Sequence, residues 1–174
     1  MNKLTVLAAL NCIIIFNANA QNINTGKSLI SFEVSNMAFN SVEGTFKGMK
    51  GNVLLDLDSP EGAILEACID VSTVDTANGK RDNHLLEEDF FYADKFPTIC
   101  FSSTAIMQTS NGYLAAGQLA MRGVTKSVEI PFTYEGKVLT GTLQLKRLAY
   151  KIGEGTSKFM VGNDVDIIIE AHLK

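Results

Sequence analysis

Apolar and polar residues alternate along most of this chain with the two-residue period of a β-strand that buries one face. At 28–35, for example, Ile30, Phe32 and Val34 alternate with serine and glutamate. The pattern recurs at 42–47, 53–57, 65–71, 99–101, 113–121, 128–134, 139–145 and 165–173. Turn-forming residues at 58–62 and 109–112 separate neighbouring segments. The pattern predicts an all-β fold of eight or nine antiparallel strands, and closure into a barrel removes exposed sheet edges.

The alternation stops between Val71 and Ile99, where charges, one histidine and several aromatic residues replace it. Asn78, Gly79 and Asp82 are typical of a helix start and predict a short helix through about residue 86. A second turn is predicted from residue 89 to just before residue 97. The interruption therefore predicts a helical lid at about 78–96 over one mouth of the barrel, with an aromatic patch formed by Phe90, Phe91 and Phe96.

The first 20 residues have the pattern of a secretory signal peptide. Lys3 precedes an apolar stretch at 4–16, and Ala-Asn-Ala at 18–20 fits an A-x-A cleavage site. Cleavage is predicted after Ala20, which leaves one domain at 21–174 in the periplasm or outside the cell. The apolar stretch is shorter than the roughly 20 residues of a membrane span, so no integral membrane anchor is expected.

Charge and ligand spacing argue against several partners. The chain has 15 basic and 19 acidic residues, and removal of Lys3 with the leader leaves 14 against 19, a net charge of −5. Such a balance does not suit nucleic acid. His84 and His172 are far apart in sequence, and the acidic stretch at 163–166 lacks the glycine and distal glutamate of a calcium loop. Neither a metal nor a cofactor is expected.

His84 near Asp82 is the most enzyme-like feature, because a histidine beside a carboxylate can act as a general base. In the structural alternative, Asp82 caps the helix, Arg81 pairs with a carboxylate and His84 binds a loop carbonyl. No serine or cysteine nucleophile accompanies them in a motif such as G-x-S-x-G. The chain is therefore expected not to be an enzyme, and action on a hydrophobic substrate through His84 and Asp82 is kept as an alternative.

Two cysteines, Cys68 and Cys100, remain after the predicted cleavage. Each lies on the polar phase of its strand, so both thiols face outward if the two strands are neighbours. An oxidising compartment then permits a cross-strand disulfide. The pair is a candidate disulfide.

A long motif covers the predicted lid. Residues 76–103 read T-x-x-G-x-R-D-x-H-L-x-x-x-D-F-F-x-x-x-K-F-P-x-x-x-F-x-S. This run closely resembles the signature of the YceI-like family, secreted lipocalin-like proteins that bind polyisoprenoids and other lipids. Further matches are G-x-F-x-G-x-x-G at 44–51, Gly-Gln-Leu at 117–119 and Arg-Gly-Val-Thr-Lys at 122–126. The resemblance covers essentially the whole predicted mature chain.

The resemblance implies a lipocalin-like barrel that sequesters or carries one isoprenoid or other long-chain lipid, as a monomer or homodimer. Periodicity alone leaves open whether small inward residues create a cavity or only interlock with large ones. The apolar tunnel is expected to be lined by Phe32, Val34, Phe39, Phe46, Leu55, Ile69, Phe90, Phe91, Phe101, Leu119, Met121 and Phe132. Contacts to a polar head group are expected from Arg81, His84, Arg147 and Tyr150.

The chain departs from the family pattern at 35–37, where a histidine is common, and at 147–151, where an Arg-x-Asp-Phe-Gly type of loop is common. Both departures affect positions that could meet the polar end of a ligand, so the head group is not fixed by the resemblance. A non-catalytic envelope-stress or interaction scaffold with a filled barrel is the remaining alternative.

Overall fold

The computed structural model describes residues 20–37, 40–55 and 62–174. Within these residues, one α-helix, α1 at Gly79–Leu85, and two 3-10 helices, at Val71–Thr73 and Arg147–Tyr150, accompany ten strands. The strands are β1 Gln21–Asn22, β2 Leu29–Asn36, β3 Asn40–Lys47, β4 Lys50–Leu54, β5 Ile64–Asp70, β6 Thr98–Thr109, β7 Gly112–Met121, β8 Val124–Glu135, β9 Val138–Lys146 and β10 Val161–His172.

The strands form one antiparallel sheet in the order β1-β4-β5-β6-β7-β8-β9-β10-β2-β3. The run from β4 to β10 is a meander, and β10 then pairs with β2, which places the last strand beside the second. Two isolated bridges, Ile23 with Leu173 and Thr45 with Asp75, add contacts outside the main ladders. The sheet therefore curls into an antiparallel, lipocalin-like barrel with one helical insertion.

The predicted fold class is confirmed, but the predicted count of eight or nine strands is wrong. Each of the nine alternating segments corresponds to a strand from β2 to β10, and β1 is additional. β1 has only two residues, too few to show a period, and its Gln21 pairs with Val53 of β4. β4 also begins earlier than predicted, at Lys50, because only two residues connect it to β3.

The lid segment, residues 78–96, is helical only in its first half. The side chain of Asn78 caps α1 by accepting a hydrogen bond from the Arg81 amide at 3.1 Å, as its position predicts. The predicted short helix is present, and after Leu85 the chain folds back in turns, where the Phe91 amide donates to the Leu85 carbonyl at 3.0 Å. No helix in the described part of the chain is long and apolar enough to cross a membrane.

Two glycines allow aromatic rings to lie across neighbouring strands. A Cβ at Gly44 would collide with the ring of Phe32, its partner in the β2–β3 register. A Cβ at Gly117 would lie 2.6 Å from Cζ of Phe101. Large and small inward residues therefore interlock at these positions, as one of the two interpretations of the pattern predicted. The interior nevertheless keeps a cavity.

Candidate functional site

The barrel encloses a cavity of about 230 Å³ whose wall is almost entirely apolar. Of the 12 residues predicted to line a tunnel, ten contribute to this wall: Phe32, Val34, Phe46, Ile69, Phe90, Phe91, Phe101, Leu119, Met121 and Phe132. Leu55 packs against the core without lining the cavity. Phe39 lies outside the described residues. Arg147 is the one charged residue in the wall within the described part of the chain.

The lid segment contributes aromatic rings directly to the cavity wall. The Phe91 ring meets that of Phe46 edge-on, with centroids 5.7 Å apart, and Phe46 in turn lies 5.5 Å from Phe32. Phe90 is buried in the same wall. Phe96, the third member of the predicted aromatic patch, is not part of the wall. Its ring instead covers the β7–β8 turn, where a Cβ at Gly123 would lie 2.7 Å from it.

The guanidinium of Arg147 is buried, with the residue only 3% exposed, and it satisfies backbone carbonyls rather than a carboxylate. Arginine has five N–H donors, and all five are used here. The acceptors are the carbonyls of Gly162 at 2.8 Å, Ile152 at 2.8 Å, Gly153 at 2.7 Å, Thr156 at 3.2 Å and Val161 at 2.8 Å. Burial lowers the pKa of Arg147 from its ordinary value. The side chain ties the β9–β10 connection, residues 147–160, to the start of β10 and keeps no donor free for a head group.

Tyr150 lies in the same 3-10 helix as Arg147 but differs from it in the hydrogen bonding of its polar group. It is 2% exposed, and within the described residues its hydroxyl has no hydrogen-bond partner. Burial raises the pKa of this phenol. Tyr150 packs in a buried group with Phe90, Leu119 and Ile152, which line the cavity, although Tyr150 itself does not.

The polar residues of the family-like motif are arranged around Thr76. Arg81 donates through Nε to the Thr76 hydroxyl at 2.7 Å and through Nη2 to its carbonyl at 2.8 Å. Asp82 accepts from the Thr76 amide at 2.9 Å and from its hydroxyl. This arrangement holds the start of α1 against the chain that leaves β5. These three residues of the motif therefore have a structural role.

His84 and Asp82 are not brought together as a catalytic pair. Nε2 of His84 lies 2.9 Å from Oδ2 of Asp89, and both side chains are exposed. Neither Arg81 nor His84 belongs to the cavity wall. Of the four residues predicted to contact a head group, Arg147 alone reaches the wall.

Cys68 and Cys100 are direct partners in the β5–β6 ladder, and a disulfide joins them with 4.1 Å between their Cα atoms. Both residues are half-buried. Because β5 leads into the lid segment and β6 leads out of it, the bond links the two strands that carry the insertion.

In the described part of the chain, one group of potential metal ligands lies close together. Ligand atoms of His84, Glu87 and Asp89 all lie within 4.8 Å of one another, and all three side chains are exposed. The hydrogen-bond contact between His84 and Asp89 accounts for the proximity of two of these three residues. The other histidine, His172, has Nε2 at 2.6 Å from Oε1 of Glu170.

An antiparallel barrel with an apolar interior beneath an inserted lid places the protein among the lipocalin-like barrels. Residues 21–173 match the family model of the YceI-like domain. The chain belongs to the YceI-like family.

Relatives of known sequence or structure agree with this assignment. A UPF0312 protein of Yersinia enterocolitica is 32% identical over 114 residues, which cover 66% of this chain and 57% of that protein. The match thus spans little more than half the length of this relative. BcnA of Burkholderia cenocepacia, of known crystal structure, superposes with a TM-score of 0.76 at 26% identity, over 86% of this chain and 98% of BcnA.

A polyisoprenoid binding domain from Saccharophagus degradans is a more distant structural neighbour. It superposes with a TM-score of 0.65 over 88% of this chain and 98% of that domain, at 12% identity. At this identity the likeness is one of fold.

Proposed function

We propose that the protein binds an isoprenoid or other long apolar lipid chain in its lumen and shields it from water. The observation that carries the proposal is a cavity of about 230 Å³ lined almost entirely by apolar side chains. Transfer of apolar surface from water into such a site is favourable by about 25 cal/mol per Å². The polyisoprenoid binding domain of S. degradans, which shares the fold, supports this ligand class.

The size of the cavity limits what the closed barrel holds. An apolar protein cavity of roughly 150 Å³ binds benzene, whereas typical ligand pockets measure roughly 300–1,000 Å³. At about 230 Å³ the lumen lies between these cases. The cavity therefore accommodates part of a long chain, and a longer segment requires movement of wall aromatics such as Phe91 of the lid segment.

The proposed ligand keeps its polar end at a mouth of the barrel. The one charged wall residue among those described, Arg147, already donates every N–H to backbone carbonyls. Arg81 and His84 do not line the cavity, and their side chains hydrogen-bond to Thr76 and Asp89. A charged head group inside the lumen would therefore be desolvated without a partner, which is costly.

We also propose that the protein acts by binding rather than by catalysis, and in the periplasm or outside the cell. The separate partners of Asp82 and His84 weigh against the enzyme alternative. The cavity weighs against a scaffold with a filled barrel. The leader-like pattern of residues 1–20 and the Cys68–Cys100 disulfide both suit an oxidising, extracytoplasmic compartment.

Organic extraction of natively purified protein, followed by mass spectrometry, tests the proposal. We expect one apolar lipid class at close to one molecule per protein, and rebinding of that class by the delipidated protein. A lumen that is reproducibly empty and does not rebind isoprenoid or acyl lipids would overturn the proposal.

A further inference from the structure

Three large apolar side chains are exposed together where β2 ends and β10 begins. Met37 is 46% exposed, Phe159 61% and Met160 43%, and Phe159 is the most exposed large hydrophobic residue in the described part of the chain. The Met37 amide donates to the Met160 carbonyl at 3.3 Å, and Phe159 precedes Met160, so the three residues lie close together. Single exposed hydrophobic residues are ordinary, but a group of them marks an interaction site. We call Met37, Phe159 and Met160 the apolar rim.

The apolar rim adjoins the lumen at the end that carries the lid segment. Val161, the residue after Met160, lines the cavity, as do Arg147 and Ile152 of the β9–β10 connection. The Gly153 amide of this connection donates to the carbonyl of Asp89 in the lid segment at 2.8 Å. The rim therefore lies beside the mouth that the lid segment covers.

The connection that leads into the rim has more exposed basic than acidic residues, although the whole chain carries −4. Asp164, which follows the rim on β10, is paired with Lys146. The exposed charged residues of the β9–β10 connection are Lys151, Glu154 and Lys158, and Lys158 directly precedes Phe159. None of the three has an ion-pair partner among the described residues. The neighbouring lid segment contributes four exposed acids, Glu87, Glu88, Asp89 and Asp94, and two exposed lysines, Lys80 and Lys95. The positive character is therefore confined to the connection.

Aromatic and aliphatic side chains flanked by lysines suit a membrane surface. The apolar groups enter the boundary between head groups and acyl chains, while a lysine extends its ammonium to the phosphates. Phe159 and Met160 beside Lys158 have this arrangement.

We propose that the apolar rim docks onto a lipid bilayer with anionic head groups and brings the mouth of the lumen against the membrane. Phe159 and Met160 insert among the head groups, and Lys151 and Lys158 bind lipid phosphates. A lipid chain then passes between the bilayer and the lumen without crossing water. This inference rests on the proposed function, since it assigns the surface through which the luminal ligand is exchanged.

Co-sedimentation with vesicles of phosphatidylethanolamine and phosphatidylglycerol tests the docking. We expect the double variant Phe159→Ser, Met160→Ser to bind at least tenfold more weakly than the unmodified protein. Ile168→Ser is the matched control, because Ile168 is 54% exposed on β10 and lies eight residues beyond Met160, roughly 26 Å along an extended strand. Its vesicle binding should stay within twofold of that of the unmodified protein.

Lys158→Glu separates the contribution of charge to vesicle binding from that of the apolar side chains. It should weaken binding to the anionic vesicles and leave binding to pure phosphatidylcholine vesicles unchanged. Thermal unfolding of each variant checks that the exposed substitutions leave the fold intact.

Docking would be overturned if the double variant bound vesicles as tightly as the unmodified protein, or if the unmodified protein carried lipid but did not bind vesicles. Docking would also be overturned if the unmodified protein formed a dimer that dissociates in the double variant, while vesicle binding did not depend on the rim. That result would assign the rim to contact with a second copy of the chain. An empty lumen combined with rim-dependent vesicle binding would instead support docking and overturn the proposed lipid carriage.

Discussion

The wall of the barrel and its lid-side mouth are held together by different interactions. The wall consists of antiparallel ladders whose inward residues are apolar and fill space between neighbouring strands. At the mouth, single polar side chains hold irregular backbone: Arg147 binds five carbonyls, and Asp82 and Arg81 bind Thr76. Exchange of one apolar residue for another of similar volume is tolerated in a wall, whereas a buried polar group that loses its partner is costly. The mouth should therefore be the more sensitive region.

Replacement of Arg147 should have the largest effect on stability. Arg147→Ala leaves the carbonyls of residues 152, 153, 156, 161 and 162 without this donor, so we expect unfolding to become easier by about 3–5 kcal/mol. Urea denaturation measures this change. Arg147→Lys, with three donors instead of five, should recover only part of it.

Lys151→Ala is the control for this experiment, because Lys151 lies on the same connection and is exposed. Its effect should stay within about 0.5 kcal/mol. Unpaired buried polar groups are normally costly. If Arg147→Ala lowered the free energy of unfolding by less than about 1 kcal/mol, the mouth would not depend on this side chain.

The Cys68–Cys100 disulfide lies within the wall, where it joins the two strands on either side of the lid segment. Its cysteines are 32 residues apart. On the loop-entropy model, replacement of both by alanine should lower the free energy of unfolding by about 3–4 kcal/mol. Denaturation of the unmodified protein with a reductant should give the same midpoint as the double variant without one. Alkylation of both thiols in the native, unreduced protein would contradict the bond.

Asp70 should have a smaller, pH-dependent effect at the point where β5 leads toward the lid segment. Its carboxylate accepts from the Ser72 amide at 2.8 Å and hydroxyl at 2.6 Å, and these bonds lower the pKa of Asp70. Asp70→Ala should cost about 0.5–1 kcal/mol at pH 7, the usual cost of a lost cap. Because the folded pKa lies below the unfolded one, this contribution is present above the unfolded value and is lost as the pH falls through the folded value.

Urea denaturation of the unmodified protein and Asp70→Ala at pH 7 and pH 3 should therefore show a smaller difference at pH 3. Asp70→Asn keeps an acceptor without the titration, so its stability relative to Asp70→Ala should not change between the two values. If Asp70→Ala changed the free energy of unfolding equally at both pH values, the carboxylate of Asp70 would not be the source of a pH-dependent stabilisation.

Tyr150 should show the smallest effect, although it is buried in the same 3-10 helix as Arg147. Tyr150→Phe removes a hydroxyl that has no partner among the described residues, so stability should stay within about 1 kcal/mol or rise slightly. Thermal unfolding measures the change. A loss above about 2 kcal/mol would mean that the hydroxyl is engaged and that the two residues do not differ as described.

The sequence predicts the wall far better than the mouth. A two-residue period is a local signal, and it located nine strands and the inward face that carries residues such as Phe46 and Phe132. Whether a ligand contacts these residues stays a prediction. β1 was missed because two residues show no period. The short helix and the turn after it were predicted, but the backbone bonds that fold the segment back, such as that from the Phe91 amide to the Leu85 carbonyl, leave no pattern in the sequence.

The role of Arg147 could not be predicted from spacing. Its acceptors are backbone carbonyls 5 to 15 residues away, which any residue type can supply. Thr76 was different, since it belongs to the quoted motif, but the motif does not reveal that Arg81 and Asp82 both bind to it. The apolar rim was missed because Phe159 and Met160 fall outside every alternating segment.

The lipid content of a barrel with a filled lumen tests the central claim most directly. Ala115 is 1% exposed and lines the cavity, whereas its neighbour Ala116 on β7 does not line it. Lipid per protein, measured by extraction and mass spectrometry, should fall at least tenfold in Ala115→Phe and remain near that of the unmodified protein in Ala116→Phe. Thermal unfolding checks that both variants are folded. A folded Ala115→Phe protein that carries as much lipid as the unmodified protein would contradict binding in the lumen.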